Sequence, residues 1–304
     1  MQQTLTGRVI ATFGRHLIVR TAAAELRARP FGRALAPVCG DEVRYRVDPH
    51  HDEVHVIEVL PRRTVLYRAN LRGGAEAVVA NLNELLVVLA PLPQPDLFIV
   101  DRYLAAASAA GLAATLIVNK RDLGIDAPLA AELAAYGAAG YRWVSCSAAS
   151  GEGMAELRAR LAPGTVAALV GQSGVGKSSL LRALVPQAEV AIGELVRAAE
   201  GRHTTSAARL FDLPAGAALI DSPGVRDFAP ALATLEERTL GFAEVERLAP
   251  ACRFIDCHHL REPGCAVRAA ATTGALHPRR YESYRRLRRL RAKLHAARGP
   301  TRER

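Results

Sequence analysis

Lysine is scarce in this chain: of its 40 basic residues, only three are lysines, Lys120, Lys177 and Lys293. Arginine carries the remaining positive charge, and its planar guanidinium is a poor substitute for the compact ammonium that a phosphate-binding loop encloses. Two of the three lysines lie inside short motifs that are typical of nucleotide sites. A chance origin of both motifs is therefore hard to sustain.

The chain also lacks a long apolar segment. Its first residues, Met1 to Arg8, carry no signal-like run. The uncharged stretch from Tyr103 to Asn119 is alanine-rich and shorter than the ~20 strongly apolar residues that span a bilayer. We expect this stretch to be a helix that leads into a buried strand. A cytoplasmic protein without a membrane partner is predicted.

Cysteine is infrequent, with five in the chain, and three of them fall within fourteen residues beside two histidines. Without a secretion signal, thiols are expected to stay reduced, which excludes a disulfide framework. Three thiolates and one imidazole make a closed tetrahedral zinc site with no position for water, so a structural zinc is predicted. The candidate ligands are Cys252, Cys257, Cys265 and either His258 or His259. The other two cysteines, Cys39 and Cys146, are predicted to be buried apolar thiols.

The run from Gly171 to Ser178 fits the phosphate-loop pattern G-x-x-x-x-G-K-[ST]. Its glycines let consecutive backbone N–H groups surround phosphates, its lysine reaches the β/γ oxygens, and its last serine suits Mg²⁺. An apolar run, Thr165 to Val170, precedes the loop, and apolar residues at helical spacing follow it. Strand, loop and helix thus come in the order that phosphate binding requires.

The tetrapeptide from Asn119 to Asp122 matches the guanine-reading motif of GTPases. A carboxylate at Asp122 accepts hydrogen bonds from guanine N1–H and the exocyclic amine, whereas adenine presents an acceptor, a mismatch that costs roughly 10⁴-fold in binding. In ordinary GTPases this motif follows the phosphate loop, but here it precedes the loop. The inverted order predicts a circularly permuted GTPase domain. Ser145 to Ala148 resembles the Ser-Ala motif that supports the base.

Two further segments follow the phosphate loop. Asp221 to Gly224 matches D-x-x-G, whose aspartate binds Mg²⁺ through water and whose glycine N–H meets the γ-phosphate. Gly201 to Thr205 offers hydroxyls for the metal in a predicted switch loop. The permutation makes Asp221 to Gly224 the last motif before the cysteine cluster, so loss of the γ-phosphate is expected to act on the C-terminal region.

Three domains are predicted. Residues 1–62 read as short strands of a small β-barrel, either an oligonucleotide-binding fold or an SH3-like barrel. Residues 63–233 alternate strands and helices, which indicates an α/β sheet of the doubly wound type. Residues 234–304 hold the cysteine cluster and a helical, strongly basic end.

The basic end is a candidate RNA surface. Residues 279–304 carry eleven arginines and lysines against two glutamates. Apolar and aromatic residues recur there at spacings of three and four, from Tyr281 to Leu294, which predicts a helix with one apolar stripe. Because like charges at this density repel one another unless a polyanion neutralises them, nucleic acid is the favoured partner over a merely solvated face.

These motifs together resemble the bacterial ribosome small subunit-dependent GTPase A family over nearly the whole chain. The resemblance implies an N-terminal oligonucleotide-binding barrel, a permuted GTPase domain and a mainly helical C-terminal zinc domain. It implies zinc on Cys252, Cys257, His259 and Cys265. It also implies GTP hydrolysis stimulated by the small ribosomal subunit late in the maturation of that subunit, with rRNA as partner. Thr204-Thr205-Ser206 departs mildly, since a third threonine is frequent there.

The predicted site residues follow from the motifs and the resemblance. GTP is expected to contact Asn119, Lys120, Asp122, Ser147, Ala148, Gly171, Gln172, Ser173, Gly174, Val175, Gly176, Lys177, Ser178, Ser179, Asp221 and Gly224. Magnesium is expected at Ser178, Thr204, Thr205 and Asp221. A monomer is expected.

The group that positions the attacking water is not evident from the motifs. Many GTPases place glutamine directly after D-x-x-G, but Val225 stands there, and an aliphatic side chain cannot orient water. His203 is the candidate catalytic residue, because neutral imidazole can accept a proton from water. The alternatives are a histidine that only contacts RNA and a group supplied by the ribosome.

Two other function classes compete with an RNA-dependent GTPase. One is a nucleotide-gated RNA-binding module whose hydrolysis is incidental. The other is a P-loop ATPase or kinase, against which the tetrapeptide from Asn119 to Asp122 argues.

Overall fold

The computed structural model describes most of the chain. The described residues are 4–48, 53–70, 74–186, 207–226 and 229–298.

A closed five-stranded barrel forms the N-terminal region. Its strands are β1 Leu5–Phe13, β2 His16–Arg20, β3 Glu25–Pro30, β4 Glu42–Asp48 and β5 Glu53–Val59. The order is β1-β2-β3-β5-β4, and β4 pairs with β1 to close the barrel. Alternate side chains such as Val9, Val19, Val43 and Val56 fill its core. The order is that of the oligonucleotide-binding fold, one of the two barrels that the pattern allowed.

A two-stranded hairpin follows the barrel and leads to the central sheet. The hairpin strands are β6 Val65–Ala69 and β7 Ala75–Ala80. The sheet strands are β8 Glu84–Leu89, β9 Ala113–Val118, β10 Arg142–Ser145, β11 Val166–Gly171, β12 Ala207–Asp212 and β13 Ala218–Asp221. Their order in the sheet is β10-β9-β8-β11-β13-β12, and all neighbours are parallel except β12 and β13.

Helices cover both faces of this sheet, as predicted for a doubly wound arrangement. They are α1 Leu97–Ala109, α2 Ala127–Ala139, α3 Met154–Arg160, α4 Lys177–Leu184 and the single turn α5 Pro223–Arg226. Leu104 of α1 and Leu133 of α2 pack into one buried cluster. Leu157 of α3 and Leu180 of α4 pack into the cluster on the opposite face. The uncharged stretch from Tyr103 forms the second half of α1 and strand β9, as expected.

The C-terminal region is mainly helical. Its helices are α6 Ala243–Leu248, α7 Ala266–Thr273 and α8 Pro278–Arg298. Phe242, Tyr284 and Leu287 are buried in a common core with the cysteines Cys257 and Cys265. The apolar stripe predicted for α8 is therefore confirmed at its N-terminal half. Among the described residues, no helix combines the length and the apolar character that a membrane crossing needs.

Not every cation of α8 is solvated. Arg280 is 1% exposed, and its guanidinium donates to the carboxylates of Glu244 and Asp101. Arg279 donates to Asp101 and Glu132. These bonds attach α8 to α1 and α2, so the two arginines of its first turn bind carboxylates of the protein itself.

The barrel and the central sheet are joined edge to edge. Strand β1 pairs with β12 in antiparallel register from Ala11 opposite Arg209 to Phe13 opposite Ala207. The same strand thus belongs to the barrel and extends the sheet.

Candidate nucleotide and metal sites

Glycines shape the predicted phosphate loop between β11 and α4. Gly171, Gly174 and Gly176 have φ values of 148°, 81° and 93°, where other residues are strained. A Cβ on Gly171 would lie 2.2 Å from the carbonyl oxygen of Val88, and one on Gly176 would lie 2.3 Å from Nδ2 of Asn119. The backbone of the loop therefore packs so closely against strand β8 and against Asn119 that only glycine fits at these two positions.

Lys177 begins helix α4 and folds back over the loop. Its side chain is buried, and Nζ donates to the carbonyl oxygens of Gly171 at 2.7 Å and Gln172 at 2.9 Å. An ammonium held against backbone carbonyls at a helix N-terminus lies where phosphate oxygens would be attracted. In the rest of the loop, Val175 is buried while Ser173, Gly174 and Ser178 are exposed.

Asn119 joins the predicted guanine motif to the phosphate loop. It is buried at the carboxyl end of β9, where Nδ2 donates to the carbonyl oxygen of Val175 at 2.9 Å. Its Oδ1 accepts from the backbone N–H of Ala148 at 3.1 Å. One amide therefore connects three loops, because the parallel strands β9, β10 and β11 all end at the same edge of the sheet.

Lys120 and Asp122 lie beside this connection. Lys120 has a positive φ of 60°, and its Nζ donates to the carbonyl oxygen of Leu92 at 2.9 Å. The contact places the lysine stem within 3.9 Å of the Cβ position of Gly176. Asp122 lies in a 3-10 turn, Arg121–Leu123, with an exposed side chain. An exposed carboxylate at the open edge of the sheet is accessible to a base.

The Ser147–Ala148 loop closes the same edge. Ser147 is fully buried, and its Oγ accepts from the backbone N–H of Ser150 at 3.1 Å. The ion pair between Arg121 and Glu152, at 3.0 Å, fixes this loop to the guanine motif. Cys146 is buried as predicted, and burial raises the pKa of its thiol to about 11. It is therefore a packing residue at neutral pH.

The D-x-x-G segment lies at the end of β13, next to the phosphate loop strand β11. Asp221 is buried, and a Cβ on Gly224 would lie 3.1 Å from Cγ1 of Val78 on β7. Val225 is 1% exposed in the apolar cluster beneath the sheet, so its side chain faces away from solvent. The predicted switch residues His203, Thr204 and Thr205 lie outside the described residues.

The structure brings the predicted metal ligands together in the C-terminal region. The ligand atoms of Cys252, Cys257, His259 and Cys265 all lie within 4.8 Å of one another. Cys252 Sγ is 3.4 Å from His259 Nδ1 and 3.9 Å from Cys265 Sγ. A tetrahedral ion with thiolate bonds of about 2.3 Å separates its ligand atoms by roughly 3.5–3.8 Å. The cluster therefore fits one metal ion.

The geometry distinguishes the two adjacent histidines. His259 is fully buried with its Nδ1 toward the sulfurs, whereas the side chain of His258 is exposed. A positive φ of 59° at His259 turns its ring inward. Tyr281 and Tyr284 donate from their hydroxyls to the carbonyl oxygens of His259 and His258, at 2.7 and 3.0 Å. Helix α8 thereby holds the ligand loop in place.

The three cysteines of the cluster differ in how readily they ionise. Burial raises the pKa of Cys257, to about 12, and that of Cys265. Burial opposes charge on Cys252, yet backbone N–H groups of Val267 and Ala266 at the start of α7 lower its pKa overall. Cys265 caps the same helix and accepts from the N–H of Arg268 at 3.4 Å. Thiolates at a helix N-terminus are stabilised by its dipole, and metal binding requires that form.

Comparison with known proteins identifies the family of this chain. A family model described as RsgA GTPase matches residues 59–230, which is more than half of the chain. The chain belongs to the RsgA GTPase family. A relative from Ectopseudomonas mendocina, named small ribosomal subunit biogenesis GTPase RsgA, is 42% identical over 290 residues, covering 92% of this chain and 84% of the relative. Family membership makes this chain a GTP-hydrolysing enzyme.

Solved structures share its architecture. The crystal structure of YjeQ from Thermotoga maritima aligns with a TM-score of 0.71 at 26% identity, covering 94% of this chain and 97% of that one. The structure titled YloQ, a circularly permuted GTPase, aligns with a TM-score of 0.69 at 23% identity over 96% of each chain. The permuted fold predicted from the inverted motif order is therefore confirmed for this RsgA-family chain.

Some contacts in the candidate nucleotide site could not be predicted from the sequence. The partner of Lys120 is the backbone carbonyl of Leu92, and any residue would supply it. Ser150 and Glu152 support the Ser147 loop only because the chain reverses there.

Proposed function

We propose that this protein binds the small ribosomal subunit and couples GTP hydrolysis to the late maturation of that subunit. The observation that carries the proposal is the buried Asn119 amide, which joins the guanine motif, the phosphate loop and the Ser147–Ala148 loop. Such a connection would hold the sites for the base and for the phosphates at a fixed distance from each other. The name of the Ectopseudomonas mendocina relative supports the ribosomal part of the proposal.

In this proposal each loop has one role. Backbone N–H groups of the phosphate loop, with Lys177, hold the phosphates, and the exposed carboxylate of Asp122 selects guanine over adenine. Asn119, Lys120, Ser147 and Ala148 shape the base pocket. The full nucleotide set is that predicted from the sequence, including Gln172, Ser173, Ser178, Ser179, Asp221 and Gly224.

Magnesium and zinc have separate sites in the proposal. Ser178 and Asp221, with Thr204 and Thr205, would hold Mg²⁺, which neutralises charge on the phosphates when bound. The Cys₃His set would hold one zinc ion as a structural ligand, since four protein ligands leave no position for water.

His203 is proposed to position the attacking water. The buried side chain of Val225 supports this assignment indirectly, because the residue that follows D-x-x-G packs into the core and cannot reach a phosphate. The alternative is a group supplied by the ribosome.

The protein is proposed to act as a cytoplasmic monomer on rRNA of the small subunit, bound to GTP or GDP. Three domains are proposed, at residues 1–62, 63–233 and 234–304. The end of β5 at Val59 supports the first boundary. Leu232, two residues before the second boundary, is already buried in the C-terminal core.

Sedimentation through a sucrose cushion tests the ribosomal part directly. Purified small and large subunits are each mixed with the protein and either a non-hydrolysable GTP analogue or GDP. We expect the protein to pellet with small subunits, and more with the analogue than with GDP. Equal pelleting with both subunits, or with neither, would contradict the proposal.

A further inference from the structure

A groove of about 530 Å³ lies between α1 of the central sheet and the exposed face of α8. The residues that line it and that carry the argument are Phe98, Arg102, Arg286, Arg289, Leu290 and Lys293. Residues 286, 289, 290 and 293 occupy one face of α8 because they follow one another at spacings of three and four. Two elements from different parts of the fold therefore build one strongly basic wall.

The cations of this groove have fewer partners within the protein than the other arginines of α8. In the described part of the chain, Arg279 and Arg280 are bound to buried carboxylates, while Arg288 and Arg291 donate to backbone carbonyls of residues 237 and 236. No ion pair between described residues involves Arg102, Arg286 or Lys293.

The one carboxylate in the groove is already engaged. Oδ1 of Asp96 accepts from the N–H groups of Phe98 and Ile99 and so caps α1. Arg289 reaches Glu282 only at 3.4 Å, between two half-exposed side chains. The carboxylates of Asp96 and Glu282 therefore offset only part of the positive charge of the groove.

Arg102 has a hydrogen-bond donor that is not satisfied. Its Nε is buried without a hydrogen-bond partner among the described residues. Burial lowers its pKa, and the neighbouring charge of Arg286 contributes to the decrease. A buried donor without an acceptor destabilises the free protein.

A flat platform lies beside these charges. The guanidinium of Arg286 lies 4.0 Å above the ring centre of Phe98, and that of Arg102 lies 6.0 Å from it. Unpaired RNA bases stack on aromatic rings and on guanidinium planes. An acidic peptide would use the charges but has no planar group for the platform.

We propose that this groove binds single-stranded RNA, with phosphodiester groups on Arg102, Arg286 and Lys293 and a base stacked over the Phe98–Arg286 pair. The inference rests on the proposed function in taking RNA as the partner, and it adds the site. The groove also lies next to the predicted phosphate loop: the backbone N–H of Asp96 donates to Oε1 of Gln172 in that loop at 3.0 Å. The hydrogen bond between Asp96 and Gln172 would thus connect the wall of the RNA groove directly to the phosphate loop.

Fluorescence anisotropy with a fluorescein-labelled oligouridylate 12-mer tests the site on the full chain. The double variant Arg286→Glu, Lys293→Glu should weaken binding at least tenfold in 0.1 M salt. Because each contact on a single strand contributes about 0.7 to the slope of log K against log salt, the slope should fall by about 1.4. The matched control is the double variant Arg142→Glu, Arg160→Glu, which makes the same charge change on exposed arginines of β10 and α3.

A second variant separates stacking from charge. Phe98→Leu should weaken binding about fivefold or more with an unchanged salt slope, since stacking is worth about 1–3 kcal/mol per base and releases no counterion. Zinc content and a cooperative thermal transition report that each variant is folded.

Two outcomes would overturn the proposal. One is binding by the folded Arg286→Glu, Lys293→Glu variant within twofold of the Arg142→Glu, Arg160→Glu control. The other is displacement of the RNA by a decaglutamate peptide at the same concentration as unlabelled RNA, which would assign the groove to an acidic protein. GTP turnover with small subunits is measured separately on the parent protein, so failure of the proposed function is distinguishable from failure of the groove.

Discussion

At the scale of single residues, Asn119 has the largest structural consequence in the nucleotide site. It is 2% exposed, and both ends of its amide bind backbone atoms of other loops. Loss of either bond would leave a buried polar group unpaired, at a cost of roughly 1–3 kcal/mol. Its neighbour Asp122 is exposed instead, as a residue that reads a ligand should be. Structural and recognition roles are thus divided within one tetrapeptide.

Base selection is expected to depend on Asp122. In Asp122→Asn, the amide donates where the carboxylate accepted, so the variant should lose GTP and gain xanthosine triphosphate, whose C2 carbonyl replaces the guanine amine. Competition against a fluorescent GDP analogue measures both affinities. GTP binding equal to that of the parent would show that Asp122 does not contact the base.

Water positioning is expected to depend on His203. His203→Ala should keep nucleotide and small-subunit binding but lose most of the turnover that small subunits stimulate, roughly 10²-fold or more, the usual range for removal of a general base. Single-turnover hydrolysis by the variant on purified small subunits gives the rate. A rate near that of the parent would assign the function to the ribosome.

At the scale of elements, the loop of the metal cluster depends on the helices around it. Cys265 is the N-cap of helix α7, and the hydroxyls of Tyr281 and Tyr284 of α8 donate to the carbonyls of the two histidines. Metal binding and packing of the C-terminal core are therefore expected to be coupled.

Cys257→Ser should lower the zinc content and unfold the C-terminal region while nucleotide binding persists, because the phosphate loop lies on a separate core. Zinc is measured by atomic absorption, and unfolding by the fraction of helix lost in circular dichroism. Cys39→Ser is the matched control, since Cys39 is fully buried outside the cluster. Stoichiometric zinc in folded Cys257→Ser would remove this residue from the ligand set.

The first turn of α8 is expected to matter more for stability than the rest of its charges. Arg280→Ala leaves the buried carboxylate of Glu244 without its counter-charge and leaves Asp101 with Arg279 alone, which should cost about 3–5 kcal/mol in the free energy of unfolding. Arg285→Ala removes a half-exposed pair with Glu282 and should cost less than about 1 kcal/mol. Urea unfolding compares the two, and equal effects would contradict the assignment.

Sequence patterns predicted the elements that local chemistry determines. The phosphate loop and the guanine motif could be predicted from the spacing of residues within short motifs. Strands of the central sheet could be predicted from apolar runs. Strand β3 was not predicted, because its arginines outnumber its single buried residue, Ala28. The burial of Arg280 was not predictable either: its partners Asp101 and Glu244 are distant in sequence, and only tertiary packing reveals them.

At the scale of the whole molecule, the barrel and the C-terminal region both attach to the central sheet. Each attachment lies beside a segment that is predicted to respond to loss of the γ-phosphate. Strand β12 begins directly after residues 187–206 and pairs with β1 of the barrel. The segment after Gly224 continues to Ala229 and Ala231, which bond to the backbone of β6, and then to Leu232 in the C-terminal core. A change of switch structure after hydrolysis would therefore act on the barrel and on the metal region.

The packing of α8 decides which variants can test the basic end, residues 279–304. Removal of residues 279–304 would also remove Tyr284 and Leu287 from the C-terminal core, so loss of ribosome binding would not distinguish charge from folding. Substitutions on the exposed face of α8 avoid that ambiguity.

GTP turnover with and without purified small subunits tests the central claim most directly. If the protein couples hydrolysis to the small subunit, turnover should rise at least tenfold with small subunits and remain near the intrinsic rate with large subunits. A nucleotide-gated RNA-binding module would bind small subunits without this increase. Turnover that is the same with small subunits, large subunits and buffer would contradict the account.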